Sequence, residues 1–450
     1  MKAKLFFAII LALTLVLAVC PVSVAAAEDV CFICDDGADY KDGKTPDSPK
    51  ATLDAAYAAL PNGGTIVFCG DFTLLNSHGE NYVSPESDAT YTFTTTWDGV
   101  DYAATNGGNL GVNCWFTFNA PHIFKDLQIN VMKNTQLFCL NGNKLVVEDT
   151  VKCVQDGASN WIGITVGRND DEQQPVSKGG ELIVNGGNWQ MIRGGTRNNG
   201  GLDCVNDGGP TVTINGGEFF DTFFMGGDGH IMGSVVANIN GGVFHKGIQP
   251  INVGGVDGDL TINITGGDFT AISAVNVFLV HNTRDSGELG GKLTVNISGG
   301  TFSDNFVITG NNDNNGSGGE AVIDFSKWTT PNENVINNAK GFDKTIKADG
   351  SVVTEEPKPE TEPVTEPVTE PVTEAPKTEP VTEAPKTEPV TEAPKTEPAT
   401  DAPATDAPAT AAPTTPAADD GAPIGLIVGI AAAVIIVAII VVLIAKKKKN

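Results

Sequence analysis

Between residues 181 and 302 one pattern of apolar and polar positions returns five times. Each copy opens with apolar and polar residues in alternation, as in Thr211-Val212-Thr213-Ile214 and Leu293-Thr294-Val295-Asn296-Ile297. A short polar residue, two glycines, a variable residue and an aromatic follow: the copies end at Trp189, Phe219, Phe244, Phe269 and Phe302. Alternation with period two gathers one apolar set on one face of a strand. The Asn, Thr or Ser before the glycines suits a turn, and the glycines permit positive φ. The aromatic then returns the chain to the interior, so the five rings are expected to sit above one another in the core. Successive Gly-Gly pairs stand 30, 25, 25 and 33 residues apart. That period fits a solenoid and falls short of the ~40 residues of a propeller blade. The pattern predicts an all-β chain with one coil of parallel β-helix per repeat.

Further rungs are expected upstream without the glycine motif, at Asp126 to Val131, Gln136 to Leu140, Lys144 to Glu148 and Trp161 to Val166. About ten coils at ~4.8 Å each would make a column ~50 Å long. Ahead of them, Ser48 to Leu60 reads as a helix with Ser48 as N-cap and Pro49 at its first position. Pro61-Asn62-Gly63-Gly64 ends it, and Thr65 to Gly70 is an apolar strand.

Helix, Gly-Gly and apolar strand in this order resemble the N-terminal entry of pectin-lyase-like right-handed parallel β-helices. The Ile-x-Gly-Gly-x-Phe copies are similar to those of bacterial stalked cell-surface β-helix proteins. The resemblance spans residues 28–345. It implies a helix laid over the open end of the column, where core and strand edges would otherwise be exposed. Enzymes of this fold act on one lateral face, with paired carboxylates or with a base beside a calcium-binding acidic cluster. The polygalacturonase-like motifs Asn-Thr-Asp, Gly-x-Asp-Asp, Gly-His-Gly and Arg-Ile-Lys are missing from this sequence. Their nearest counterpart is Gly226-Gly227-Asp228-Gly229-His230, with Ile231 where a second glycine would stand. Arg193, Arg197, Asp203 and Asp207 lie about one coil upstream and are candidates for the same face. The plainer reading makes all six solvated loop residues, so no catalytic site is assigned.

No cofactor is expected. Calcium has three candidate ligands: Asp257 and Asp259, in one imperfect copy of a nonapeptide repeat, and Asp313, in an EF-hand-like run that starts at Asn311 and in which Val322 replaces the bidentate Glu. Both stretches read more simply as Gly/Asn turns. The five histidines (78, 122, 230, 245, 281) show no ligand spacing and read as scattered surface groups. Seven cysteines remain beyond the leader described below. Cys31 and Cys34 form a lone Cys-x-x-Cys, read as a local disulfide or two thiols, and Cys69 and Cys139 follow apolar strands as small core residues.

Charge divides the chain. Residues 1–27 carry +2, residues 28–350 carry 18 − 39 = −21, residues 351–420 carry 4 − 16 = −12 and the last five carry +4. A total of −27 argues against a nucleic-acid partner. Lys2, Lys4, an apolar run from Leu5 to Val19 and Ala25-Ala26-Ala27 read as a signal peptide, residues 1–27, with Val19 unsuited to a lipobox at Cys20. Residues 351–420 hold 15 Pro, 15 Thr and 16 acidic groups in Thr-Glu-Pro repeats, a composition that stays disordered and extended as a stalk. Residues 422–445 are apolar throughout, long enough to span a bilayer, and the Lys tail at 446–450 is expected on the cytoplasmic side. No Leu-Pro-x-Thr-Gly sorting signal precedes them. The expected localisation is the cell surface, as a single-pass protein with its N-terminus outside. Three functions fit: a non-catalytic adhesin that binds surface or host glycans, a cell-attached polysaccharide lyase or glycoside hydrolase, or a purely structural surface component.

Overall fold

The computed structural model describes residues 29–354 apart from 76–80, 133–135, 156–161, 168–178, 198–204, 250–253, 273–288 and 311–319. The chain divides into two units at residue 364, and every described residue belongs to the first. The leader, the Thr/Pro stalk past Thr354 and the 422–445 segment lie outside the described residues, as do Asp203 and Asp313. Among the described residues no helix is long and apolar enough to cross a membrane.

The described residues are all-β, with parallel strands in long sheets. The longest sheet runs in chain order from Val30–Ile33 to Val352–Thr354 and has thirteen strands, all parallel except the last, which folds back antiparallel on Lys344–Ile346. A seven-stranded sheet runs from Asn81–Val83 to Ile248–Gln249. A four-stranded sheet (Asp71–Leu74 to Lys152–Gln155) and a five-stranded one (Asn188–Trp189 to Thr301–Phe302) complete successive coils. One circuit crosses Thr211–Ile214, Glu218–Phe219 and Phe223–Phe224, and the next crosses Val235–Ile239, Val243–Phe244 and Ile248–Gln249 in register with it. This is the pairing of a parallel β-solenoid. Its long sheet has twelve parallel strands rather than ten, because strands such as Val30–Ile33 and Tyr91–Thr94 carry no glycine signature. The rungs expected upstream are present as Gln128–Val131, Gln136–Cys139, Lys144–Val147 and Ile162–Thr165.

Both glycines of each corner have a steric cause. At Gly241 an added Cβ would lie 2.2 Å from the Asn215 carbonyl oxygen of the coil before, and Gly242 has φ +94°. Side chains beside the corner stack as ladders: Asn240 Nδ2 donates to Asn215 Oδ1 (2.8 Å), which itself bonds Asn185 through Nδ2 (2.7 Å). A second ladder joins Asn296 to Asn263 and Asn263 to Asn238, both at 2.8 Å. These amides satisfy one another and fix coil register.

Inside, Phe219, Phe244, Phe269 and Phe302 stack with centroids 4.9, 4.8 and 4.8 Å apart and planes within 16°. Trp189 is buried in register with Phe219, but its indole N–H donates to Gly186 O and its ring meets Phe138 edge-on. The five rings therefore occupy the core as expected.

Three expectations need correction. The capping helix covers Leu53–Ala59 with Thr52 as N-cap, not Ser48 to Leu60. Lys50 is extended and bridges Ile33, its Nζ reaches the carbonyls of Asp39 (3.2 Å) and Lys41 (2.8 Å), and Asp39 accepts from Ala51 N and Thr52 N. Those bonds outweigh the Ser-Pro signal. His122 is no surface group: it is 1% exposed, beneath the helix, bonded to Tyr57 Oη and Ala120 O at 2.8 Å each. Cys69 and Cys139 are buried, but on the strand faces turned away from the interior, since their neighbours Phe68 and Phe138 fill it.

Candidate binding face

Strand alternation decides which residues the seven-stranded sheet turns outward. Phe116, Phe138, Ile164 and Ile192 pack in the core, so Thr117, Cys139, Thr165 and Arg193 line up on the outer face, each paired in register with the next. Phe224 and Gln249 continue that row. A parallel row begins with Asn81 opposite Trp115 and ends with Gly163 opposite Met191. Thr117, Cys139, Gly163 and Thr165 in the middle of the face are buried, with the Trp115 ring and Arg193 at its sides.

Arg193 Nη1 lies 2.7 Å from Asp228 Oδ1, with side chains 13% and 17% exposed. Its guanidinium carbon stands 4.8 Å above the Phe224 ring, and Nε contacts Met191 Sδ at 3.2 Å. Arg197 reaches back along the sheet to sit 5.7 Å over the Trp115 ring. Burial, and next the Arg193 charge, press the Arg197 pKa below its ordinary value, and Asp228 opposes that pressure. Asp228 is set in place by its own N–H, which donates to Thr196 O at 2.7 Å.

Two polar atoms border this cluster without a hydrogen-bond partner among the described residues: Thr196 Oγ1, on a fully buried side chain, and Asn81 Oδ1, beside Trp115. Unpaired polar atoms of this kind are uncommon in native structures, and both lie buried beneath the surface of the face.

Of the six residues proposed from the sequence, Arg193, Arg197 and Asp228 come together. His230, two residues past Asp228 in the same coil, turns instead to Asp257 of the next coil in an ion-pair geometry (2.9 Å) on a more open surface. Asp207 is exposed in the turn after Val205–Asn206 and outside the cluster, and Asp203 is beyond the described residues. The calcium candidates are engaged elsewhere: Asp257 faces His230, and Asp259 Oδ1 accepts from Lys292 N at 2.8 Å. Among the described residues no group of three or more His, Cys, Asp or Glu is placed to hold a metal ion. Trp115, Phe224, Asn81 and Thr196 were missed from the sequence, although the alternation Trp115-Phe116-Thr117 points Trp115 outward once Phe116 is assigned to the core. Cavities of ≈ 240 Å³ (Thr95, Asp126, Lys152) and ≈ 190 Å³ (Leu53, Phe72, Tyr82) lie apart from this face.

No protein-family model, no curated protein and no solved structure matches the chain.

Proposed function

We propose that the chain is a cell-surface display protein whose solenoid, of pectin-lyase-like type and right-handed, binds glycans without cleaving them. The Thr/Pro stalk holds the head away from the bilayer, and residues 422–445 anchor it, with the N-terminus outside. The observation that carries this reading is the outer cluster: Trp115 and Phe224 rings, each beside a guanidinium. Sugars present C–H faces that pack on aromatic rings and hydroxyls that pair with guanidinium and carboxylate groups.

The same cluster is poorly suited to hydrolysis or elimination. A glycosidase needs a carboxyl with a raised pKa beside a second carboxylate. Asp228 gives its carboxylate to Arg193. Among the described residues the carboxyls with displaced pKa values, Asp42, Asp268, Glu320 and Asp349, are all lowered, chiefly by hydrogen bonds from Lys44 N, the Thr270 hydroxyl, Lys292 and the Ser351 hydroxyl. The strongly acidic head would also repel polyuronates unless a cation bridged them. A glycan array probed with residues 29–354, run beside reducing-sugar and unsaturated-product assays on pectin, alginate and neutral glycans with and without calcium, tests the reading. Array signal without turnover is expected. Turnover that disappears in Asp228→Asn or Arg193→Ala would establish the lyase or hydrolase alternative.

A further inference from the structure

The strand Val30–Ile33 is the end strand of the long sheet, and it pairs in parallel register with Gly64–Phe68, Ile33 opposite Phe68. One residue further, Cys34 stands opposite Cys69. The register is fixed there, since both Cys69 N (3.1 Å) and Cys69 Sγ (3.6 Å) donate to Ile33 O. Alternation places the two thiols on the outward face with Phe32 and Val67, in a small apolar cluster covered by Trp97 and Tyr102. The two sulfurs are close enough for each to perturb the other's ionisation. Neighbouring strands lie ~4.8 Å apart, inside the Cα separation that a disulfide spans, and in-register side chains leave their strands in the same direction. Cys31, the other half of the Cys-x-x-Cys, faces the opposite way into the core, fully buried. The sequence motif therefore misleads about the partner.

We propose that Cys34 and Cys69 form a disulfide that staples the end strand of the solenoid to the following coil. The bridge would close a loop that contains the capping helix Leu53–Ala59. The end strand has a full strand partner on one side and, on the other, only backbone bonds with Gly43 and Lys50, so it frays before the inner strands; the staple acts where that fraying would begin. The oxidant is an organic disulfide. The part-exposed Cys34 thiolate attacks it, forming a mixed disulfide and releasing one thiol. Cys69 then attacks the Cys34 sulfur, expelling the second thiol, so two protein thiols are oxidised and one disulfide is reduced. Burial holds both thiols above their ordinary pKa, Cys69 up to about 12, so exchange is slow at neutral pH and quickens as pH rises. The bridge depends on strand register alone and is independent of the glycan reading.

The full chain, purified in detergent under reductant and then exposed to oxidised glutathione, tests this by peptide mapping after alkylation. A linked pair containing Cys34 and Cys69 is expected, with a thermal midpoint about 4–8 °C above that of the reduced chain. Cys31→Ser should keep both the link and the shift. Cys69→Ser should lose both and leave glutathione trapped on Cys34. A Cys31–Cys34 link, or equal alkylation of Cys34 and Cys69 before and after oxidation, would overturn the proposal.

Discussion

Truncating Phe244 to alanine tests the packing of the solenoid at its most regular point. The ring is 1% exposed and lies between Phe219 (4.9 Å, 16°) and Phe269 (4.8 Å, 9°). Phe→Ala in a core costs about 3–5 kcal/mol, the higher values where the site cannot collapse. Here the backbone ladders hold Val243–Phe244 between Glu218–Phe219 and Asp268–Phe269, and two stacked pairs are lost at once, each worth about 0.5–1.5 kcal/mol. A loss of about 4–5 kcal/mol is therefore expected from urea unfolding of residues 29–354, followed by circular dichroism. Phe224→Ala, on the outer face, should cost about 1 kcal/mol, since it forfeits mainly a contact with Arg193. Coils contact mainly their neighbours, so hydrogen-exchange protection should fall in the flanking coils as well. A Phe244→Ala loss below about 2 kcal/mol, or protection lost only at residues 243–244, would refute the reasoning.

Further outcomes follow from other contacts. Burial depresses the His122 pKa from 6.5 to about 3, whereas the unfolded chain protonates near 6.5; the unfolded state therefore takes up the proton first as pH falls. Stability should drop by about 2 kcal/mol between pH 7.5 and pH 5, and a His122→Gln chain should lack this component in urea titrations at the two pH values. Gly241→Ala should cost more than about 2 kcal/mol, because its Cβ would meet the Asn215 carbonyl at 2.2 Å, and a denaturation midpoint unchanged from wild type would contradict that contact. Asn263→Ala breaks two bonds of the amide ladder and should lower stability by about 1–2 kcal/mol in the same assay.

The solenoid was legible because its signal is periodic: the same alternation, corner and aromatic recur, and each copy repeats the same steric demand. Helix placement was less so, because Ser48-Pro49 is a sound local start signal and Lys50 is claimed instead by a strand pairing with Ile33. Burial of His122 was hidden for a similar reason. Its partner Tyr57 lies 65 residues away in sequence. At the outer face Asp228 was found from a motif likeness and Arg193 and Arg197 from the coil spacing, while Trp115 and Asn81 escaped because they come from coils three or more rungs earlier. Only the parallel stacking of rungs brings Arg197 back over Trp115. The Cys-x-x-Cys shows the same limit: the residue that Cys34 meets is set by strand register and not by sequence spacing.

The most direct test of glycan binding by the outer face is array binding of residues 29–354 compared with Trp115→Ala and Arg197→Ala, each first shown to unfold with the wild-type midpoint. If the outer cluster is the contact surface, both variants lose at least tenfold in affinity for whichever glycan the wild type captures, a loss of about 1.4 kcal/mol or more, and no glycan is shortened. Unchanged binding in both variants would contradict the assignment of this face.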